Sequence, residues 1–105
     1  MTSGAPMLVR EGAVLKVSGD VDAGTVLGLR KQGEQAIRQA EGALDIDLSG
    51  LGTAHTVVLS MLLCWQRLAQ SRHCQLSFTG ASERLRSLAA LSNLQDQIPG
   101  FSAHG

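Results

Sequence analysis

Aromatic residues and net charge are both scarce in this sequence. It has no tyrosine, and aromatic side chains make up 3% of its 105 residues. Proteins that bind single-stranded nucleic acid stack bases on aromatic side chains, and those that bind the phosphate backbone need an excess of Lys and Arg. Nine basic residues are balanced here by nine acidic ones. We therefore expect no nucleic-acid partner.

Long apolar runs and cysteine clusters are also missing. No stretch approaches the roughly 20 apolar residues that a helix needs to span a bilayer. Residues 1–6 have neither the basic nor the apolar region of a secretion signal. Cys64 and Cys74 form no CxxC pair, and we interpret them as small apolar side chains in a reducing compartment. These absences predict a cytoplasmic protein that does not insert directly into a membrane.

The composition that remains is typical of one compact domain. Apolar residues make up 44% of the chain and charged residues 17%. A chain of this length buries roughly two-thirds of its unfolded surface without metals or disulfides. We predict a single domain over residues 1–105, with a core at about 7–96 and flexible ends. Pro99 and Gly100 are expected to lie in a loose tail.

Hydrophobic periodicity predicts an α/β domain. Alternating apolar residues indicate strands at 7–10, 13–18, 44–48 and 75–79. Spacings of three and four indicate helices at 23–40 and 56–70, and a third after Ser82 that carries Leu85, Leu88 and Leu91. Glu11 and Gly12 are expected to form a hairpin turn, and Asp22 and Ser82 to cap helices. The order β-β-α-β-α-β-α predicts one mixed sheet of about four strands with three helices packed on it.

The helix predicted from Thr56 is apolar nearly all round. One wide arc forms a core stripe of Val57, Val58, Met61, Leu62, Trp65, Leu68 and Ala69. Thr56, Ser60, Leu63 and Arg67 lie on the opposite side, with Leu59 beside them. Leu59 and Leu63 are therefore surplus to a single core face. Either another element of the domain covers them, or a partner does; scattered exposed leucines are the ordinary alternative.

The start of this helix is the strongest candidate for a binding site. A buried strand, a short glycine-containing turn and Thr56 follow one another, which places a hydroxyl among the free backbone N–H groups of a helix start. Such a position has positive partial charge and suits a phosphate, a carboxylate or a side chain of a partner.

Several of these segments together resemble the STAS family, the fold of bacterial anti-sigma-factor antagonists. Ile-Asp-Leu-Ser-Gly-Leu at 46–51 matches the strand and turn of the family, and His-Thr-Val-Val-Leu at 55–59 occupies its helix opening. Gln-Leu-Ser-Phe-Thr-Gly-Ala at 75–81 is similar to its last strand, and 82–94 to its final helix. The resemblance covers about residues 7–96.

The resemblance implies that Thr56 is the key residue of a protein interface. Short stand-alone members with threonine here are non-enzymatic subunits that bind the ATPase of a phospholipid ABC transporter containing a permease. They act in Gram-negative bacteria to maintain outer-membrane lipid asymmetry, and reach the inner membrane through that partner. Helix geometry adds four further contacts to His55 and Thr56 in the predicted interface: Leu59, Ser60, Leu63 and Arg67.

The alternative that the resemblance implies is a phosphoswitch, in which an anti-sigma kinase phosphorylates Thr56. The sequence departs from the family at this point. His55 replaces the acidic residue that usually precedes the hydroxyl, and Val57 and Val58 stand where glycines follow it. The bulky side chains of these valines leave a kinase less room to reach the Thr56 hydroxyl. This favours a constitutive binding surface over a phosphoswitch.

Catalytic and metal-binding interpretations have less support. Asp45 and Asp47 share one strand face and have the chemistry to hold Mg²⁺, but we interpret them as residues of the wetter face. His55 beside Thr56 lacks a third, orienting acid. No glycine-rich nucleotide motif is present. We expect neither enzymatic activity nor a cofactor; a hydrolase or a lipid carrier would need a catalytic constellation or an apolar cavity that the sequence does not show.

Overall fold

The computed structural model describes residues 6–52 and 55–101, which form three helices and a four-stranded sheet. The elements in chain order are β1 Met7–Glu11, β2 Val14–Gly19, α1 Val26–Gln39, β3 Ala43–Leu51, α2 Thr56–Ser71, β4 Gln75–Thr79 and α3 Glu83–Leu91. The predicted order and α/β class are confirmed. No helix in these ranges combines the length and the apolar character needed to cross a membrane.

The sheet is mixed, and its strands lie in the order in which they occur in the chain. β1 and β2 are antiparallel, while β2, β3 and β4 run parallel to one another. In β2, β3 and β4 buried and more exposed side chains alternate, with Leu15, Ile46 and Phe78 among the buried ones. The alternate residues, such as Lys16 and Asp45, are exposed. The helices therefore cover one face of the sheet and leave the other open.

The hairpin between β1 and β2 turns one residue later than the sequence predicts. Glu11 pairs with Val14, so the turn consists of Gly12 and Ala13 rather than Glu11 and Gly12. Gly12 has a φ of 64°, whereas Ala13 has no positive φ. A positive φ at the first central residue alone is typical of a type II′ turn. Glycine adopts a positive φ without strain, so the position of Gly12 in the turn sets the register between β1 and β2.

Helices α1 and α2 pack closely through one glycine and one tryptophan. Trp65 is fully buried, and its Nε1–H donates to the backbone carbonyl of Arg30 at 3.0 Å. A Cβ atom on Gly33 would lie 2.2 Å from the indole Cε2 and Cζ2 atoms. The absence of a side chain at Gly33 therefore makes room for the ring. Within the domain Trp65 is a core residue, as the core stripe predicts.

The chain after α3 is part of the core, which corrects the prediction of a loose tail from Pro99. Ile98 and Phe101 are buried. The Phe101 ring packs edge-on against Phe78, with 6.3 Å between centroids, and Gly100 approaches the Phe78 carbonyl closely. Residues 94–101 thus cover the β4 side of the sheet. Gly100 has a φ of 92°, which glycine adopts without strain, so the Pro-Gly pair lets the chain turn where it passes β4.

Two further local predictions need correction. α1 begins at Val26 rather than at residue 23, because Asp22 stabilises the turn that precedes the helix. Its Oδ1 atom accepts hydrogen bonds from the backbone N–H groups of Gly24 and Thr25 at 2.9 and 3.0 Å. β3 continues to Leu51, beyond the predicted end at 48. The predicted Ser82 cap is confirmed, since its hydroxyl accepts from the Leu85 N–H at 3.1 Å.

Candidate functional site

The start of α2 has free hydrogen-bond donors. His55 is extended, with φ −123° and ψ 159°, and its side chain makes no capping hydrogen bond. Its carbonyl accepts from the N–H of Val58 at 3.0 Å, which leaves the N–H groups of Thr56 and Val57 without a partner among the described residues. The first turn contains no acidic residue. The positive end of the helix is therefore available to a ligand with an acceptor group.

The first turn of α3, in contrast, is stabilised by side chains of the chain itself. There the Ser82 hydroxyl accepts a backbone hydrogen bond, and Glu83 places a carboxylate in the first turn. α2 has neither device among the described residues. The exposed Thr56 hydroxyl lies at the end of α2, where its donor and acceptor capacity adds to that of the open N–H groups.

Most of the predicted interface residues do share one exposed face of α2. Thr56, Ser60 and Arg67 are exposed, and Leu63 is half-buried between them. His55 is exposed immediately before the helix. The four helix positions lie within about 60° of one another around the helix axis, because each is three or four residues from the next. The periodicity therefore predicted which side of the helix is exposed, and the role of these residues in an interface stays a prediction.

Leu59 does not belong to this surface. Its side chain is 1% exposed and is part of the hydrophobic core. The expectation that Leu59 is surplus to the core is wrong because α2 is covered on two sides. α1, β4 and α3 all contact α2, and the chain after α3 lies beside its Leu63 and Gln66. Thus an element of the domain, rather than a partner, covers Leu59.

A small apolar groove adjoins the exposed stripe on the side of α1. Its volume is about 100 Å³, and its lining residues are Val26, Leu27, Arg30, Val57, Ser60, Met61 and Cys64. Leu27 is 52% exposed, which is unusual for leucine in this chain. Leu27 was not among the residues predicted for the site. The available signal was its position on α1, outside the spacing of three and four that defines the core stripe of that helix.

A larger polar groove borders the stripe on the other side. Its volume is about 370 Å³, and it lies between α2 and the chain after α3, lined by Leu63, Gln66, Arg67, Gln70, Asp96, Gln97 and Pro99. Leu63 and Arg67 therefore contribute to this groove as well as to the stripe. The tail that the sequence predicted to be loose forms one wall of it.

The two strand carboxylates have structural partners. Asp45 accepts a hydrogen bond from the hydroxyl of Ser77, and Asp47 accepts one from the N–H of Ser49 at 3.0 Å. Hydrogen bonds from Ser49 hold the pKa of Asp47 below its ordinary value of 3.8. The charge of Lys16 lowers this pKa further by a smaller amount, whereas partial burial acts to raise it. The described residues contain no group of three His, Cys, Asp or Glu side chains that could hold a metal ion.

Comparison with known families identifies the fold. A family model described as "Mlab, STAS domain" matches residues 7–100. The chain belongs to the STAS family. The match covers all four strands and all three helices, including the α2 start and most of the chain that follows α3. A search of curated proteins gave no significant match.

The solved structures to which the chain is similar include two described as anti-sigma-factor antagonists. One from Mycobacterium paratuberculosis has a TM-score of 0.71 at 21% identity, and the alignment covers 92% of this chain and 84% of that one. The antagonist SpoIIAA in its unphosphorylated form has a TM-score of 0.69 at 17% identity, over 90% and 85% of the two chains. The phosphorylated form of the Bacillus cell-fate determinant SpoIIAA gives 0.66 at 17%, over 90% and 88%. At these identities the similarity shows a shared fold.

Proposed function

We propose that this STAS domain is a non-enzymatic accessory subunit that binds the ATPase subunit of an ABC transporter moving phospholipids. The partner is an MlaF-like ATPase within an assembly that contains a permease, on the cytoplasmic side of the inner membrane of a Gram-negative bacterium. The observation that carries this proposal is the exposed Thr56 at an open helix start, beside a partly apolar face. The description of the matching family, which names Mlab, supports the choice of partner.

The α2 surface has the composition of a protein interface. Leu63 and the exposed Leu27 supply apolar area, while His55, Ser60 and Arg67 form a polar rim around Thr56. Interfaces combine an apolar centre with a hydrogen-bonding rim in this way. The free N–H groups of the first turn favour a carboxylate or carbonyl oxygen of the partner. In this account the partner binds and hydrolyses ATP, and the present chain stabilises it.

The test is a substitution of Thr56 that keeps the helix intact. Thr56→Glu places a carboxylate over the free N–H groups, where an acidic residue stabilises a helix by roughly 0.3–1 kcal/mol. The variant should therefore fold at least as well as wild type while filling the site that the partner needs. We expect it to lose copurification with a coexpressed MlaF-like ATPase, whereas Ser87→Glu, on the exposed face of α3, retains it. Equal recovery with Thr56→Glu and wild type would refute the assignment of this site.

A second candidate function is an anti-sigma-factor antagonist controlled by phosphorylation of Thr56. Its support is the similarity to SpoIIAA, which has been solved in unphosphorylated and phosphorylated forms. A phosphate would add close to two negative charges at the open end of α2. Val57 beside the hydroxyl narrows the approach of a kinase, which favours the transporter proposal. Intact-mass measurement of the protein from its host separates the two, because only the switch requires a phosphorylated species.

A further inference from the structure

A third groove lies between the edge strand β1 and helix α1, and no residue of α2 lines it. Its volume is about 410 Å³. Its apolar floor is the partly exposed Leu8 above the buried Leu15 and Ala36, and Arg10 and Lys31 place two cations at it together with three glutamines of α1. No acidic side chain lines it. The groove therefore combines apolar contact area with positive charge.

The backbone of β1 adds unused hydrogen-bonding groups to this groove. Glu11 and Val14 flank a two-residue turn, so they exchange hydrogen bonds, and the pairs alternate along the hairpin. Val9 therefore bonds to β2, while the N–H and C=O groups of Leu8 and Arg10 point outward from the sheet. No described residue pairs with these outward groups. The β1 edge is open along the same residues whose side chains line the groove.

The two edges of the sheet differ in how they are protected. The β4 side is covered by the chain after α3, where Gly100 lies against the Phe78 carbonyl. On β1, Met7 is 57% and Val9 40% exposed on the open face of the sheet. Natural proteins cover or charge their edge strands because an open apolar edge recruits other strands. β1 therefore has the features of an edge that another strand completes.

We propose that β1 binds an extended peptide segment of a partner protein as a fifth strand of the sheet. The backbone of the segment bonds to Leu8 and Arg10. Successive side chains of a strand point to opposite faces, so every second side chain enters the groove and the others lie beside Val9. The segment has apolar side chains for the groove floor and at least one Asp or Glu for the cations. An acyl chain would match the floor but would leave the backbone groups unpaired.

Charge identifies the occupant. The ion pairs of the described residues are Lys16 with Glu11 and Arg30 with Glu34, so Lys31 and Arg10 belong to neither. Arg10 uses its Nε–H on the Gly12 carbonyl at 3.0 Å, which leaves other guanidinium donors for a ligand. None of residues 1–5, 53–54 or 102–105 is acidic, so these segments do not match the groove. A second copy pairing through β1 would bring like charges together.

A peptide selection tests the proposal directly. A random decapeptide phage library is selected on the full chain and, in parallel, on Lys31→Glu. We expect wild type to enrich peptides that alternate apolar residues and contain Asp or Glu. A synthetic peptide from that set should bind Lys31→Glu about ten-fold or more weakly. The control Arg86→Glu, an equal charge reversal on exposed α3, should bind as wild type does, and so should Thr56→Glu, which separates this surface from the α2 site.

Amide hydrogen exchange gives a readout that a nonspecific charge effect would not change. The peptide should protect the N–H groups of Leu8 and Arg10, while Val9, already bonded to β2, changes little. Four results would overturn the proposal: no enrichment over the parallel selection, enriched peptides without acidic residues, protection at Val57 instead of β1, or dimerisation of the chain through this edge.

Discussion

Replacement of Gly33 by alanine should destabilise the domain although alanine is the better helix former. In a helix interior alanine is favoured over glycine by about 1 kcal/mol. Against this, the new Cβ would lie 2.2 Å from two atoms of the Trp65 ring, and overpacking of this kind costs about 1–3 kcal/mol. Displacement of the ring also breaks its hydrogen bond to the Arg30 carbonyl, and an unsatisfied buried group costs a further 1–3 kcal/mol or so. We expect a net loss of about 2 kcal/mol.

The measurement is thermal unfolding followed by circular dichroism. A loss of that size lowers the Tm of a domain of about 100 residues by roughly 10 °C. Gly28→Ala is the matched control, because this α1 glycine has nothing within 4 Å of the added Cβ, and it should raise stability by about 0.5–1 kcal/mol. In Gly33→Ala with Trp65→Phe, the smaller ring should relieve part of the cost. The reasoning fails if Gly33→Ala and Gly28→Ala shift Tm in the same direction.

Three further substitutions test other parts of the fold. Asp47→Asn should lower Tm at pH 7. Because the pKa of Asp47 is lower in the folded than in the unfolded state, its contribution to stability is present above the unfolded pKa and is lost as the pH falls through the folded pKa. The difference in Tm from wild type should therefore shrink below about pH 4, and a difference that stays constant with pH would contradict this. Phe101→Ala should cost about 3–5 kcal/mol in urea unfolding, whereas Leu91→Ala, 84% exposed, should change little; equal effects would mean that the tail is loose after all. Ser82→Ala should cost about 1 kcal/mol through loss of the α3 cap, with Ser87→Ala unchanged in the same assay, and a neutral Ser82→Ala would show that the cap is dispensable.

The element order and the core faces were predictable because periodicity records which side of each element is buried. Leu44, Ile46 and Leu48 alternate with two aspartates, and all three of these apolar side chains are buried in the structure. The bounds of α2 differ from the prediction by one residue at its end. Local patterns of this kind need no knowledge of neighbouring elements.

What the sequence did not predict depends on contacts between distant parts of the chain. Leu59 belongs to the core because the chain after α3 helps to cover the second side of α2, which the helix alone cannot reveal. Ile98 and Phe101 flank the Pro99-Gly100 pair in a stretch with no regular apolar period, so the sequence did not indicate that they are buried. The groove at Leu27 likewise forms only when α1 lies against α2.

The central claim is that an unmodified Thr56 lies at an interface with an ABC transporter ATPase. The most direct test is affinity purification of the chain at native expression level, with mass spectrometry of the bound proteins and of Thr56 itself. Our account predicts recovery of an ABC ATPase and its permease together with a chain of unmodified mass. Recovery of an anti-sigma kinase, with phosphate on Thr56, would contradict it and establish the switch.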